Sequence, residues 1–186
     1  MPLSVLDPRS ALIVIDLQKG IVSLPTAAPI EGVLGNARRL ADGFRAKKLP
    51  VILVNVTALP PGRTDAKRVL RDQPADWAEL VADLGQQPTD HLVTKRTPGA
   101  FTRTGLEDYL RDEAVTQVFV VGVSTSNGVE ATARQALELG LNVVTVIDAM
   151  TDLQADAHEW SVSRVFPRIS ETASTDEVLD HLQRRP

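Results

Sequence analysis

The sequence predicts an α/β fold of three layers, α/β/α, with helices on both faces of a six-stranded, mostly parallel sheet. Three observations carry that expectation. Short apolar, β-branched runs alternate with longer amphipathic stretches, the pattern of βαβ units. The run from Ala11 to Ile15 (ALIVI) is continuously apolar, as a strand covered on both faces should be. Finally, the segment from Val118 to Arg134 (VFVVGVSTSNGVEATAR) reads as a buried strand, a Gly-Val-Ser-Thr turn and an Ala-rich helix. Such a junction presents backbone N–H groups at the carboxyl edge of a parallel sheet, where open α/β folds take their ligands.

The remaining elements follow in order. Glu31 to Lys48 carries Val33, Leu34, Ala37, Leu40, Ala41 and Phe44 at helical spacing, and Pro50 ends that helix before a second strand, Val51 to Val56. The Pro-, Gly- and Arg-rich stretch from Ala58 to Pro74 reads as a long loop over the sheet edge. A short helix is expected over Asp76 to Leu84 and a third strand over His91 to Thr94. Thr104 opens the next helix as Thr-Gly-Leu-Glu, a capping-box pattern with Glu107. The strand Val118 to Val121 leads to a helix from about Ser126 to Leu139, with Gly140 as its stop. Asn142 to Ile147 is a fifth strand. Thr151 with Gln154 and Ser174 with Glu177 mark two more capped helices, and Arg168 to Ser170 a short last strand between them. With no repeat, low-complexity tract or linker, a single domain spanning 1–186 is expected.

Composition narrows the function classes. The chain has no cysteine, which excludes a disulfide scaffold and thiolate metal ligation. A net charge of −4 argues against a general nucleic-acid binder. Neither a secretory signal pattern nor a membrane-length apolar run is visible, so a cytoplasmic protein is expected, with no membrane partner.

Asp16 follows ALIVI at the carboxyl end of the first strand. It either caps a turn or, partly desolvated beside apolar residues, has the raised pKa that suits proton transfer. Lys95 stands at the equivalent place after the third strand, as a surface lysine or as a partner for that carboxylate. Asp148 is expected to organise the helix start near Thr151. Arg63, in the loop after the second strand, either solvates a surface or meets a substrate carboxylate with its forked guanidinium. Trp77 and Trp160 are expected to pack.

Taken together and in order, these motifs resemble the isochorismatase-like hydrolases, also called cysteine hydrolases. Ile15-Asp16-Leu17-Gln18 resembles the family's D-x-Q motif, and Lys95 followed by Gly99-Ala100-Phe101 its K…AF segment. The turn from Gly122 to Arg134 resembles the family's G-V-x-T-x-x-C-V-x-x-T-A-R, and Asp148-Ala149 the D-A of the next strand. The resemblance runs from about Ser10 to Leu182. It places Gly128 where the family's nucleophilic cysteine stands. It implies a catalytic pair in Asp16 and Lys95, and a substrate pocket involving Gln18, Phe101, Val123, Ser124 and Thr125. It also implies a cis peptide at Val123–Ser124 that aims backbone N–H groups into the site, and association into dimers or larger homo-oligomers.

Without a thiol, the thioester route to amide hydrolysis is closed, since glycine has nothing to attack with. Relatives that are true isochorismatases work without this cysteine: a protonated Asp delivers a proton to an enol carbon and water adds to the oxocarbenium ion. The expected function is therefore hydrolysis of a small molecule, a carboxylated one if Arg63 meets it, with Asp16 as acid or base and Lys95 as its charge partner. The alternative is a catalytically inactive scaffold that binds a small ligand or serves in an assembly. No cofactor is expected. Nor is a metal: the nicotinamidase branch holds zinc through an Asp and two His after the second strand, whereas NVTALPPGRTD has no His there.

Overall fold

The computed structural model describes residues 3–65 and 73–185. Six strands form one sheet in the order β3-β2-β1-β4-β5-β6, and each neighbouring pair is parallel. The strands are β1 (Ser10–Ile15), β2 (Val51–Val56), β3 (His91–Lys95), β4 (Gln117–Val123), β5 (Asn142–Thr151) and β6 (Glu171–Ala173). From β1 the chain winds outward through β2 and β3, then returns to lay β4 against the other side of β1. The reversal puts the topological switch point between the carboxyl ends of β1 and β4, the crevice where such sheets bind ligands.

Alternation along the strands sorts the core into two apolar layers. Leu12 and Val14 of β1 join Phe119 and Val121 of β4 beneath α2 (Ile30–Ala46) and α7 (Thr175–Arg184). Ala11, Ile13 and Ile15 face the other way, with Val118 and Val120, against α3 (Leu106–Asp112), α4 (Glu130–Glu138) and α6 (Phe166–Ile169). Two shorter helices, α1 (Lys19–Val22) and α5 (Ala155–Trp160), contribute no buried residue. The three expected layers are thus present. Gly140 ends α4 at φ 82, the left-handed stop that glycine accepts without a Cβ penalty.

Several elements differ from expectation for reasons of packing. Asp76 to Leu84 is not a helix, apart from a 3-10 turn at Ala82–Leu84. Its backbone is committed to the first loop instead: Lys19 N–H donates to Glu79 O, Gly20 N–H to Trp77 O, and Val81 N–H to Leu17 O. β5 runs past Ile147 to Thr151, because its pairing with β4 shifts register between Val120 and Gly122 and then resumes at Met150 and Thr151. The last strand lies at Glu171–Ala173, after Phe166 to Ile169 complete a helical turn that buries Phe166. Of the expected long loop, residues 66–72 lie outside the described residues.

The capping predictions divide. Ser174 and Glu177 form the full reciprocal box at the start of α7. Thr104 does not: its hydroxyl donates to Ala100 O, and α3 begins after Gly105 at φ 76. Thr151 is a strand residue whose hydroxyl accepts from Ala28 N–H, while Asp152 caps the following turn. Asp148 serves a different helix from the one expected, its Oδ1 accepting Thr175 N–H and hydroxyl at the start of α7.

Candidate active site

Asp16 occupies the first position beyond β1, at φ 52, a left-handed conformation that Asp tolerates better than most residues and that clusters at functional sites. Its N–H still donates to Val54 O, so the sheet holds its backbone while the side chain turns into the crevice. Lys95 closes β3 and is 1 % exposed; Asp16 is 6 % exposed. The Lys95 ammonium lies 2.8 Å from Asp16 Oδ2 and donates to Pro98 O at 2.6 Å. Asp16 Oδ1 is buried and has no hydrogen-bond partner among the described residues.

Two effects oppose each other on this carboxyl. Burial disfavours the carboxylate, and the neighbouring ammonium favours it. Burial is the larger, and the Asp16 pKa is pushed up to about 6. A group of that pKa exchanges its proton readily near neutrality, the property a general acid or base needs.

The turn after β4 faces this pair. Gly122 adopts φ 115 beside Ile15, and a Cβ there would fall 2.0 Å from Ile15 O. Only glycine lets β4 press so closely on β1 just before Asp16. The Val123–Ser124 peptide is cis. A π-helical turn, Thr125–Val129, then precedes α4. Within it Gly128 is buried, and a Cβ built on it would sit 3.3 Å from Asp16 Oδ2, 3.2 Å from Lys95 Nζ and 2.9 Å from Ile15 Cγ2. Thr132 pins the turn by donating to Gly128 O while accepting from Ala100 N–H. Asp152 pins its other end, Oδ2 accepting both the N–H and the hydroxyl of Ser126.

Asp16, Lys95, Val123 and Ser124 line one cavity of about 350 Å³ at the carboxyl edge of the sheet. Thr97, Pro98 and Asn127 also line it, with the apolar side chains of Ile21, Leu24, Val56, Leu59, Trp77 and Leu153.

Residues 10–177 match the family described as Isochorismatase domain. The chain belongs to the isochorismatase family. It is 38% identical over 183 residues to an uncharacterized isochorismatase family protein, YwoC, of Bacillus subtilis, covering 94% of this chain and 95% of that one. The isochorismatase of the same organism is 28% identical over 191 residues, covering 97% of this chain and 60% of its relative. Among solved structures, an isochorismatase family protein of Burkholderia thailandensis superimposes with a TM-score of 0.92 at 36% identity, covering 96% and 98% of the two chains. Isochorismatase-family members are hydrolases.

The site residues expected from the resemblance to this isochorismatase family do not all meet. Gln18 is fully buried and spent on the scaffold: its Oε1 accepts Val56 N–H, and its Nε2 donates to Val56 O and Trp77 O. Thr125 is buried as well, its hydroxyl 2.8 Å from His158 Nδ1. Phe101 packs on the second core layer and lines a separate depression with Leu110 and Leu141. Arg63 is exposed and is not among the described residues lining the cavity. Trp77, expected only to pack, forms part of the cavity wall, and Trp160 is 64 % exposed. Asp152 was not singled out, because its role depends on β5 reaching Thr151. Among the described residues no three His, Asp or Glu side chains gather to hold a metal, and no helix is long and apolar enough to cross a membrane.

Proposed function

We propose that this protein is a thiol-independent hydrolase of isochorismatase type, cleaving the enol-ether bond of a small molecule. The observation that carries the reading is the asymmetry of Asp16. One carboxyl oxygen is held by Lys95, while the other is buried, unpartnered and part of a residue lining the cavity. A carboxyl of pKa about 6 is about one-tenth protonated at pH 7. In that form Oδ1 delivers its proton to the terminal enol carbon. Water adds to the resulting oxocarbenium carbon, the hemiketal collapses to an alcohol and a carbonyl compound, and the surplus proton returns to Asp16. Lys95 stabilises the carboxylate left after the first transfer. The absence of cysteine and the glycine at position 128 support a route with no covalent intermediate, and membership of a family of hydrolases supports the reaction class.

Two of the hydroxyls in the turn are engaged elsewhere. Thr125 is buried beside His158, and the Ser126 hydroxyl is committed to Asp152. Ser124 remains a lining residue that can contact the substrate.

The test is turnover of isochorismate, followed by pyruvate release, and of phenyl vinyl ether, followed by phenol release, in wild type and Asp16→Asn. Hydrolysis that disappears in the mutant while its fold is kept supports Asp16 as the acid; wild-type rates in Asp16→Asn overturn it. The second reading is a retired scaffold, favoured by the missing thiol. It predicts saturable ligand binding with no hydrolysis by either protein.

A further inference from the structure

Building on the reading of this cavity as a hydrolase site, we propose that it takes a small, uncharged molecule whose apolar half lies between Trp77 and the leucines at the mouth. Among the described lining residues, Asp16, Lys95, Thr97, Ser124 and Asn127 are polar and the others are apolar. That is the usual division between a few orienting groups and a large desolvating surface, and about 350 Å³ lies near the small end of ligand pockets.

Three features give the apolar end its meaning. Leu24 and Leu153 line the cavity yet are 40 % and 38 % exposed, so apolar surface waits there for a ligand to cover it. The indole of Trp77 is not loose. It lies close against Gly20, where a Cβ would meet its Cδ1 at 1.9 Å, and Trp77 O accepts from Gly20 N–H and Gln18 Nε2. Such a fixed aromatic wall covers an apolar group with little further loss of conformational freedom. Third, the ammonium of Lys95 already has a carboxylate and a carbonyl as partners, at 2.8 and 2.6 Å. With two of its three N–H donors so engaged, it has one left for a substrate.

The fitting reaction is R–O–CH=CH₂ + H₂O → R–OH + CH₃CHO, with R aryl or alkyl. The terminal carbon gains a proton from Asp16, water forms the new C–O bond, and the bond to the R–O oxygen breaks. Nothing is oxidised or reduced overall.

Calorimetric titration with phenol and with 3-hydroxybenzoate, on wild type and Leu153→Lys, tests the inference without relying on turnover. A parallel assay compares kcat/KM for phenyl vinyl ether and 2-phenoxyacrylate. Phenol should bind at least tenfold more tightly than 3-hydroxybenzoate, phenyl vinyl ether should be the better substrate, and Leu153→Lys should narrow or reverse both preferences. Tighter binding of 3-hydroxybenzoate to wild type, or binding of neither, overturns the proposal. Preferred phenol binding with no turnover of either ether keeps the ligand class and overturns the hydrolase reading.

Discussion

Because burial outweighs the Lys95 contact at Asp16, the protein should lose stability as pH rises through the range where that carboxyl ionises. The native pKa is about 6 against 3.8 for an unperturbed aspartate. Between these values the folded chain holds a proton that the unfolded chain has released. The stabilising contribution is therefore fully present below pH 3.8 and lost as pH passes through about 6. A difference of roughly two pKa units corresponds to about 3 kcal/mol, most of it falling between pH 4 and 7. The perturbation is Asp16→Asn, which removes the titration. Urea denaturation of both proteins at pH 4, 5, 6 and 7 gives the difference in unfolding free energy. Wild type minus mutant should fall by about 2 to 3 kcal/mol across the series. A flat or rising difference would refute the reasoning, because it would mean that the ammonium, not burial, sets the carboxyl's charge.

Other expectations follow from the same geometry. If Asp16 is the acid, kcat/KM should fall about tenfold per pH unit above about 6; a rate that climbs with pH through that range would mark it as a base. Gly122→Ala should cost at least about 3 kcal/mol or prevent folding, since its Cβ meets Ile15 O at 2.0 Å and its φ is 115. Gly35→Ala, in α2 with open space around it, should instead gain about 0.5–1 kcal/mol, and thermal melts of the two variants check both signs. Gly128→Cys places a sulfur beside Asp16 and Lys95 once Ile15 yields slightly. Its thiol should react with iodoacetamide at pH 7 faster than free cysteine if the nearby ammonium favours the thiolate; slower alkylation would show that burial and the Asp16 carboxylate outweigh that cation.

What the sequence disclosed was what depends on neighbours along the chain. Asp16 and Lys95 were legible because each stands at the carboxyl end of an expected strand, and in a parallel sheet those ends share one edge. The local signature of a capping box was right at Ser174 and wrong at Thr104 and Thr151. The difference is tertiary: Gly105 takes a left-handed turn ahead of α3, and β5 carries Thr151 into the sheet. Trp77 was hidden for a related reason. Its place in the wall depends on a backbone hydrogen bond from Gly20, 57 residues earlier by number, and on the contact that this glycine's missing side chain permits. Asp148 likewise serves a helix 27 positions on. The apolar strip formed by Leu24, Leu59 and Leu153 comes from three separate loops, and no window of sequence shows it.

The side chain of Gln18 has a consequence for how the crevice is built. Its carbonyl and amino groups take the N–H and the C=O of Val56, the two groups that a further residue of β1 would otherwise have met. One amide side chain thus substitutes for a peptide unit and closes off the hydrogen-bonding edge of β2 after the backbone of β1 has turned aside. The first strand ends in its chemistry later than it ends in its path. Asp16 can leave the line of the sheet without exposing an unsatisfied neighbour, and its departure is confined to the residue that needs it.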